Sequence, residues 1–270
     1  NAASQDFSID PTIYNTIEGA EGTVLTIPAN TFVDASGSPI TSTVNVNLLE
    51  ILDNNDMISL SVPAVSDGSY LISGGELRVT ATSGGSPVYL ASGSSVGMFV
   101  PATSPTSEMG IFDGVEDASG DVTWTSIDTA DVVIVLDSTG VDGYYYDWAD
   151  STLGWINCDY FWDVTSAKTT VNANVSGDHV YDNTQVFLHS SSLSVAFPLL
   201  GTASDIDENS FYSYVDLIPV GMDFTVVAIS EISGSYYSAF VPITVAVDHV
   251  EDLTLTATTI GAFDAAVAAL

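Results

Sequence analysis

Oxygen-donor side chains give this chain its widest chemical reach. Three clusters gather them: Asp53-Asn54-Asn55-Asp56, then Asp113 with Glu116, Asp117 and Asp121, then Ser204-Asp205-Ile206-Asp207-Glu208-Asn209. Hard carboxylate and amide oxygens are what Ca²⁺ binds. None of the three has the twelve-residue loop with Gly at six and Glu at twelve. Asp205, Asp207 and Asn209 form the preferred calcium set, and solvated turns are the alternative at all three places. His179, His189 and His249 are scattered without HxH, HExxH or GxSxG spacing, so they carry neither a zinc nor a serine-triad signature. They read as ordinary surface or strand histidines. A carboxylate pair for glycoside hydrolysis can be drawn almost anywhere among 35 acids, so such a pair has no weight. The lone Cys158 has no partner for an internal bridge and reads as a small buried hydrophobe. No catalytic residues are assigned, and the chain is not expected to be an enzyme.

Charge bounds the partners. Arg78 and Lys168 are the only basic residues against 35 acidic ones, for a formal net charge of −33. The acids are 26 Asp and 9 Glu, a skew towards the residue that favours turns and caps. Yet 46% of residues are hydrophobic and mean hydropathy is +0.32, far from the composition of disordered acidic chains. The chain should fold almost without salt bridges, on strand pairing and apolar burial. Nucleic acid and anionic membrane are disfavoured as ligands, since carboxylates repel phosphate. No apolar run approaches the length of a membrane span, so direct membrane insertion is not expected.

The elements that must position these groups are strands. Period-2 stretches rich in Val, Thr, Tyr and Phe recur between Gly, Ser, Asp and Pro, among them Thr23–Ile27, Ser42–Ile51, Gly75–Ala81, Val96–Val100, Val122–Ser126, Val132–Leu136, Thr169–Val175, Gln185–His189, Phe224–Ser230 and Ile243–Val247. Ser73-Gly74-Gly75 and Ser83-Gly84-Gly85 read as hairpin turns. One helix is expected, in the tail, with Asp264 capping 265–270. The pattern implies an all-β protein of two tandem β-sandwich domains with an extended N-terminal arm. The expected divisions are an arm over 1–19, a first sandwich over 20–142, an aromatic connecting segment over 143–167, a second sandwich over 168–262 and a tail over 263–270. Core positions should include Leu25, Ile27, Phe32, Val44, Val46, Leu48, Trp155, Phe187, Val226 and Ala228.

Two segments invite a functional reading. The aromatic run Tyr144 to Trp162 is either a stacking platform for glycans or a packed plug. In the arm, Phe7, Ile9, Tyr14 and Ile17 carry an extended pattern broken by Pro11, which suits an edge strand. That arm either adds to a neighbour's sheet edge or completes the sheet of its own domain.

The motifs at Gly22–Ile58 (GTVLTIPANTFVDASGSPITSTVNVNLLEILDNNDMI), Ser73–Gly85, Met98–Ala102 (MFVPA), Met109–Gly114 (MGIFDG), Leu153–Phe161 (LGWINCDYF) and Leu217–Ser230 (LIPVGMDFTVVAIS) together resemble a family of exported Bacteroidota cell-surface proteins that includes predicted lipoproteins. The front part, with IPANTF at Ile27–Phe32, is similar to the β domain of ankyrins and netrin receptors. The rear part is similar to the transthyretin-like domains of carboxypeptidases and outer-membrane receptors. The resemblance implies a secreted or cell-surface, all-β protein of Ig-like or transthyretin-like sandwiches, and no catalytic residues. Asp128-Thr129-Ala130 likewise resembles the short O-glycosylation signal of Bacteroidota, which makes Thr129 the candidate modification site, with looser matches at Ser138 and Ser151. Two functions are in contention: a self-assembling filament, sheath or layer subunit whose partners are copies of itself, and an adhesin or glycan-binding accessory protein.

With so few cations, self-repulsion should be large at low salt and relieved by screening. The melting temperature is therefore expected to rise as NaCl goes from roughly 10 mM to 1 M. A flat thermal-denaturation series across that range would mean the charge is already dispersed or matched.

Overall fold

The computed structural model describes residues 3–102, 105–118, 120, 122–128, 132–135, 141–149, 152–190, 192–193, 195–201 and 208–270. Among them are twenty-five strands and two short helices, so the protein is all-β as expected. The chain forms two compact units: a front unit of Ala2–Leu52 with Ser73–Tyr160, and a rear unit of Asp53–Ile72 with Phe161–Leu270.

The front unit is built from two antiparallel sheets. The first runs in the order Gln5–Ile9, Val44–Ile51, Ser69–Ser83, Trp155–Phe161, Gly110–Glu116 and Val122–Asp128. The second runs Val133–Val135, Gly143–Trp148, Val96–Pro101, Val24–Ile27 and Asn15–Glu18. Alternation sets the faces: in Val44–Ile51, Val44, Val46 and Leu48 are buried while Asn45 is exposed. Those three join Leu77, Val79 and Ile156 of the first sheet with Leu25, Ile27, Met98, Val100, Tyr144 and Tyr146 of the second in one apolar core. Two sheets sharing one core is the layering of a β-sandwich. Every predicted core position is buried, and so is Cys158.

The rear unit has one eight-stranded sheet, Val250–Leu253, Asn172–Val175, Ser210–Tyr212, Val195–Gly201, Thr184–Ser190, Asp223–Ile232, Ser235–Thr244 and Thr256–Thr258 in order. Its two end strands are joined by only Thr254 and Leu255. A flat sheet of that width would separate them by about 34 Å, whereas the link reaches about 11 Å. The sheet must therefore roll until its edges approach.

Several expectations need correction. Residues 1–19 are not a separate arm: Gln5–Ile9 pairs antiparallel with Val44–Ile51, and Asn15–Glu18 with Val24–Ile27. The buried Glu50 carboxylate fixes this, accepting from Gln5 Nε2 at 2.7 Å and from the N–H groups of Glu21 and Thr23 at 3.1 and 3.0 Å. Nor is 143–167 a connector, because Gly143–Trp148 and Trp155–Phe161 are sheet strands and Tyr144, Tyr146, Trp148 and Trp155 are buried. Residues 53–72 belong to the rear unit. Tyr70 ties them there, stacking on Phe197 at 4.2 Å, donating to the Pro198 carbonyl and accepting from Tyr214 N–H.

The tail helix starts earlier than expected. It spans Ile260–Val267, with Thr259 as cap accepting from Ala262 N–H. Both cations also find acids, Arg78 at 3.5 Å from Glu116 and Lys168 at 2.8 Å from Asp163.

Ser83-Gly84-Gly85 is a hairpin turn as read, with both glycines at positive φ between the paired Thr82 and Pro87. Ser73-Gly74-Gly75 is instead the interior of the strand Ser69–Ser83. Gly74 answers to crowding, and Gly75 to crowding and to a φ of +133°. A Cβ on Gly74 would stand 2.8 Å from the Tyr144 ring and 2.9 Å from the Cys158 carbonyl oxygen. Gly74→Ala is accordingly expected to destabilise by about 1–3 kcal/mol, read as a lower urea midpoint with unchanged slope. A wild-type midpoint would show that the strand shifts freely there.

Candidate functional site

The oxygen clusters resolve differently from one another. Asp53-Asn54-Asn55-Asp56 is a helix start: Asp53 caps the helix Asn54–Leu60, its carboxylate accepting from Asp56 N–H at 2.8 Å. In the second cluster, Glu116 accepts from Trp155 Nε1 at 2.8 Å and faces Arg78. Asp205 and Asp207 lie outside the described residues, as do Thr129, Ser138 and Ser151. Asn209 is described, and its amide donates to the carbonyls of Gly177, at 3.3 Å, and His179, so it closes a turn. Among the described residues no three His, Cys, Asp or Glu are grouped to hold a metal.

Each histidine is tied into local structure. The Nε2 of buried His189 lies 2.7 Å from Asn54 Nδ2, so that nitrogen accepts and Nδ1 holds the proton. Burial lowers the His189 pKa, against a smaller pull upward from Asp53. His179 Nδ1 pairs with Ser230 Oγ at 2.9 Å. His249 Nδ1 accepts from Ala246 N–H at 3.1 Å.

Of the predicted assembly residues, Ile9 and Ile17 are in the front unit's own core, and Phe7 packs against it. Only Tyr14 is free, 60% exposed beside Ile13 at 56%, in the link between the edge strands Gln5–Ile9 and Asn15–Glu18. The opposite flank, which sequence reasoning missed, is the more open. There Val122–Asp128 and Val133–Val135 end the two sheets, and Val115, Ile127 and Val133 are each more than half exposed. The uncharged alternating run VTWTSI at Val122–Ile127 is the signal that could have marked it.

A second missed feature is polar and sealed. Ser73, Glu76, Asn157 and Asp159 come together from the adjacent strands Ser69–Ser83 and Trp155–Phe161, and the last three are fully buried. Asn157 Nδ2 donates to Asp159 Oδ2 at 2.5 Å and reaches Glu76 Oε1 at 3.5 Å, while Ser73 Oγ donates to Asn157 Oδ1 at 3.1 Å. Glu76 Oε2 and Asp159 Oδ1 have no hydrogen-bond partner. Burial pushes the Glu76 pKa well up, and the neighbouring Asp159 pushes it further. Burial likewise raises Asp159, opposed by hydrogen bonds from Ser73, the Gly74 N–H and Asn157.

The chain's only arginine lies along the same strand. Arg78 stands 5.7 Å over the Trp155 ring, which meets Trp124 edge-on at 6.2 Å. These rings are buried, so the aromatic run offers its Trp155 as a strut and not as an open stacking platform.

No family model matches the chain, and no curated protein matches it.

The buried pair generates a pH prediction with a definite sign. A carboxyl whose pKa is raised on folding adds stability below its unfolded value, 4.5 for Glu76, and that stability is lost as pH rises through the folded value. Glu76→Gln removes the titration. The variant is therefore expected to gain about 1 kcal/mol or more over wild type at pH 8, with the gain shrinking towards pH 4.5. Urea unfolding at both pH values measures it, and a variant less stable than wild type at pH 8 would show that the Glu76 charge is compensated.

Proposed function

We propose that this chain is a non-catalytic, extracellular structural protein whose partners are copies of itself, assembling into a surface filament, sheath or layer. One observation carries the reading: on each flank of the front unit both sheets end in edge strands with no further strand paired to them among the described residues, and exposed apolar side chains lie on these strands or in the link between them. Ile13 and Tyr14 mark one flank, and Ile127 and Val133 the other.

Soluble proteins blunt such edges with Lys, Pro or bulges. Here the run Val122–Ile127 has no charge and no Pro, Thr123 and Thr125 are exposed along it, and its one bulge lies at the far end, where the register shift between Ile111 and Phe112 leaves Ile127 as the extra residue. Two unlike flanks on one unit favour a head-to-tail contact, which continues into a filament when the rotation does not close. Main-chain hydrogen bonds would supply affinity and the alternating side chains register. The resemblance to exported Bacteroidota surface proteins supports the secreted or cell-surface location.

Electrostatics sets the conditions. Subunits of charge −33 repel, so assembly should need salt or divalent cations. In 0.15 M NaCl, with and without Ca²⁺, wild type is expected to form polymers by electron microscopy. Thr125→Lys should abolish them while shifting monomer stability by no more than about 0.5 kcal/mol. Wild type that stays monomeric under every condition, or polymers undiminished by the lysine, would remove the proposal.

A further inference from the structure

The rear unit holds an open cleft of about 590 Å³, lined by residues from four stretches of chain: Ile58 and Ser59, Tyr181–Gln185, Ile229–Glu231 with Tyr236, and Ile260 with Phe263 and Asp264. Its volume lies in the range of small-molecule sites. A second hollow of about 310 Å³ also uses Tyr181 and Asp182, together with Val180 and Glu208. These two side chains therefore stand at the boundary between two adjoining hollows.

The backbone that presents them is fixed by Asn183. Its Oδ1 accepts from Val180 N–H at 2.9 Å, Thr184 Oγ1 at 2.8 Å and Ser230 Oγ at 3.2 Å, and its Nδ2 donates to the Asp178 carbonyl at 2.9 Å. Tyr181 N–H also donates to the Glu208 carbonyl at 2.9 Å. On this rigid turn the Tyr181 side chain is nonetheless 44% exposed. Across the cleft-lining set, the Phe263 ring is buried against Phe240 at 5.6 Å. Ser59 Oγ reaches Asp264 Oδ1 at 3.5 Å, linking the two helices of the unit. The lining is thus organised before any ligand arrives.

Its chemistry is selective. Tyr181, Asp182, Gln185, Glu231 and Tyr236 have no side-chain partner among the described residues. They offer two phenol rings, with an apolar face and a polar tip, beside carboxylate and amide oxygens that accept hydrogen bonds. No cation lines the cleft, so phosphate, sulfate and uronate ligands are repelled. A ligand matching this lining is uncharged, dense in hydroxyl donors, faced with C–H groups and long enough to occupy both hollows. We propose that the cleft binds a neutral oligosaccharide, with the Tyr181 ring as the stacking surface between two sugar units. The proposal is independent of assembly, since none of these residues lies on the front unit's flanks.

Calorimetric titration of the full chain tests it with neutral hexasaccharides, the β-1,4-glucan, α-1,4-glucan and β-1,4-mannan series, and with spermine as a cationic probe. At least one hexasaccharide is expected to bind, with Tyr181→Ala and Tyr236→Ala each weakening it at least about tenfold and the melting temperature of both variants unchanged. Asp182→Asn, which keeps a hydrogen-bonding oxygen, should weaken it less than Tyr181→Ala. Three results overturn the proposal: no hexasaccharide binding, binding indifferent to both tyrosine variants, or binding of spermine alone.

Discussion

A chain with two cations must hold its carboxylates by other means, and the rest of the structure follows from that constraint. The donors used are backbone N–H groups and hydroxyls. Asp34 accepts from Ser36 N–H, Ser36 Oγ and Ser38 N–H, and Asp10 from Thr12 N–H and Oγ1. Hydrogen bonds of this kind hold both carboxyls below their usual range. Asp53 does the same work at a helix start, and Glu50 does it inside the front unit. The preference for Asp over Glu then has a local cause, since the shorter side chain reaches its own turn's N–H groups.

Glu50 shows how far one such anchor extends. Its oxygens gather the first strand through Gln5, and the turn before the third through Glu21 and Thr23, and they lie where any side chain on Gly19 would stand. Gln5 in turn accepts from Ala20 N–H. Main-chain donors thus serve a buried acid where another protein would place a lysine. Glu76 and Asp159 are the exception. Their strand-interior N–H groups belong to the ladders on either side, so only Asn157, Ser73 and one N–H are left to solvate two acids.

What the sequence made legible follows from period. Val44, Val46 and Leu48 alternate with polar residues, and the resulting face is unmistakable; Phe187, Val226 and Ala228 sit instead in the apolar runs Val186–Leu188 and Val226–Ala228, buried on both faces of their strands. Composition gave the all-β class for the same reason. Short signals without a period misled. Gly74-Gly75 looks like Gly84-Gly85, but the first pair makes room for Tyr144 on one side and for Leu52 and Val100 on the other while the second turns the chain, and only three-dimensional neighbours distinguish them. Asp53-Asn54-Asn55-Asp56 reads as a calcium loop or a solvated turn, whereas it is a helix start, with the following Met57 and Ile58 buried side by side in the rear unit. Tyr70 carries no local mark of the unit it joins, because its partners Phe197 and Tyr214 are more than a hundred residues away. Of the site residues, Asp205, Asp207 and Thr129 lie outside the described residues, and the Asn209 amide donates to the Gly177 and His179 carbonyls.

Charge placement bears on the conditions under which the proposed edge pairing would occur. The acids sit mainly in turns and at strand ends, while Val122–Ile127 is bracketed by Asp121 and Asp128 and free of charge between them. Repulsion between distant turns decays within about 8–10 Å at physiological ionic strength, whereas strand pairing acts only at the 4.8 Å spacing of a sheet. The two forces therefore act in separate ranges: the long one keeps copies apart at low salt, and the short one operates after screening lets the edges meet. In the proposed assembly such an acidic surface would act as an ionic-strength gate on edge pairing. In that assembly it would keep edges apart as lysines do elsewhere, but in a form that the surrounding medium can lift.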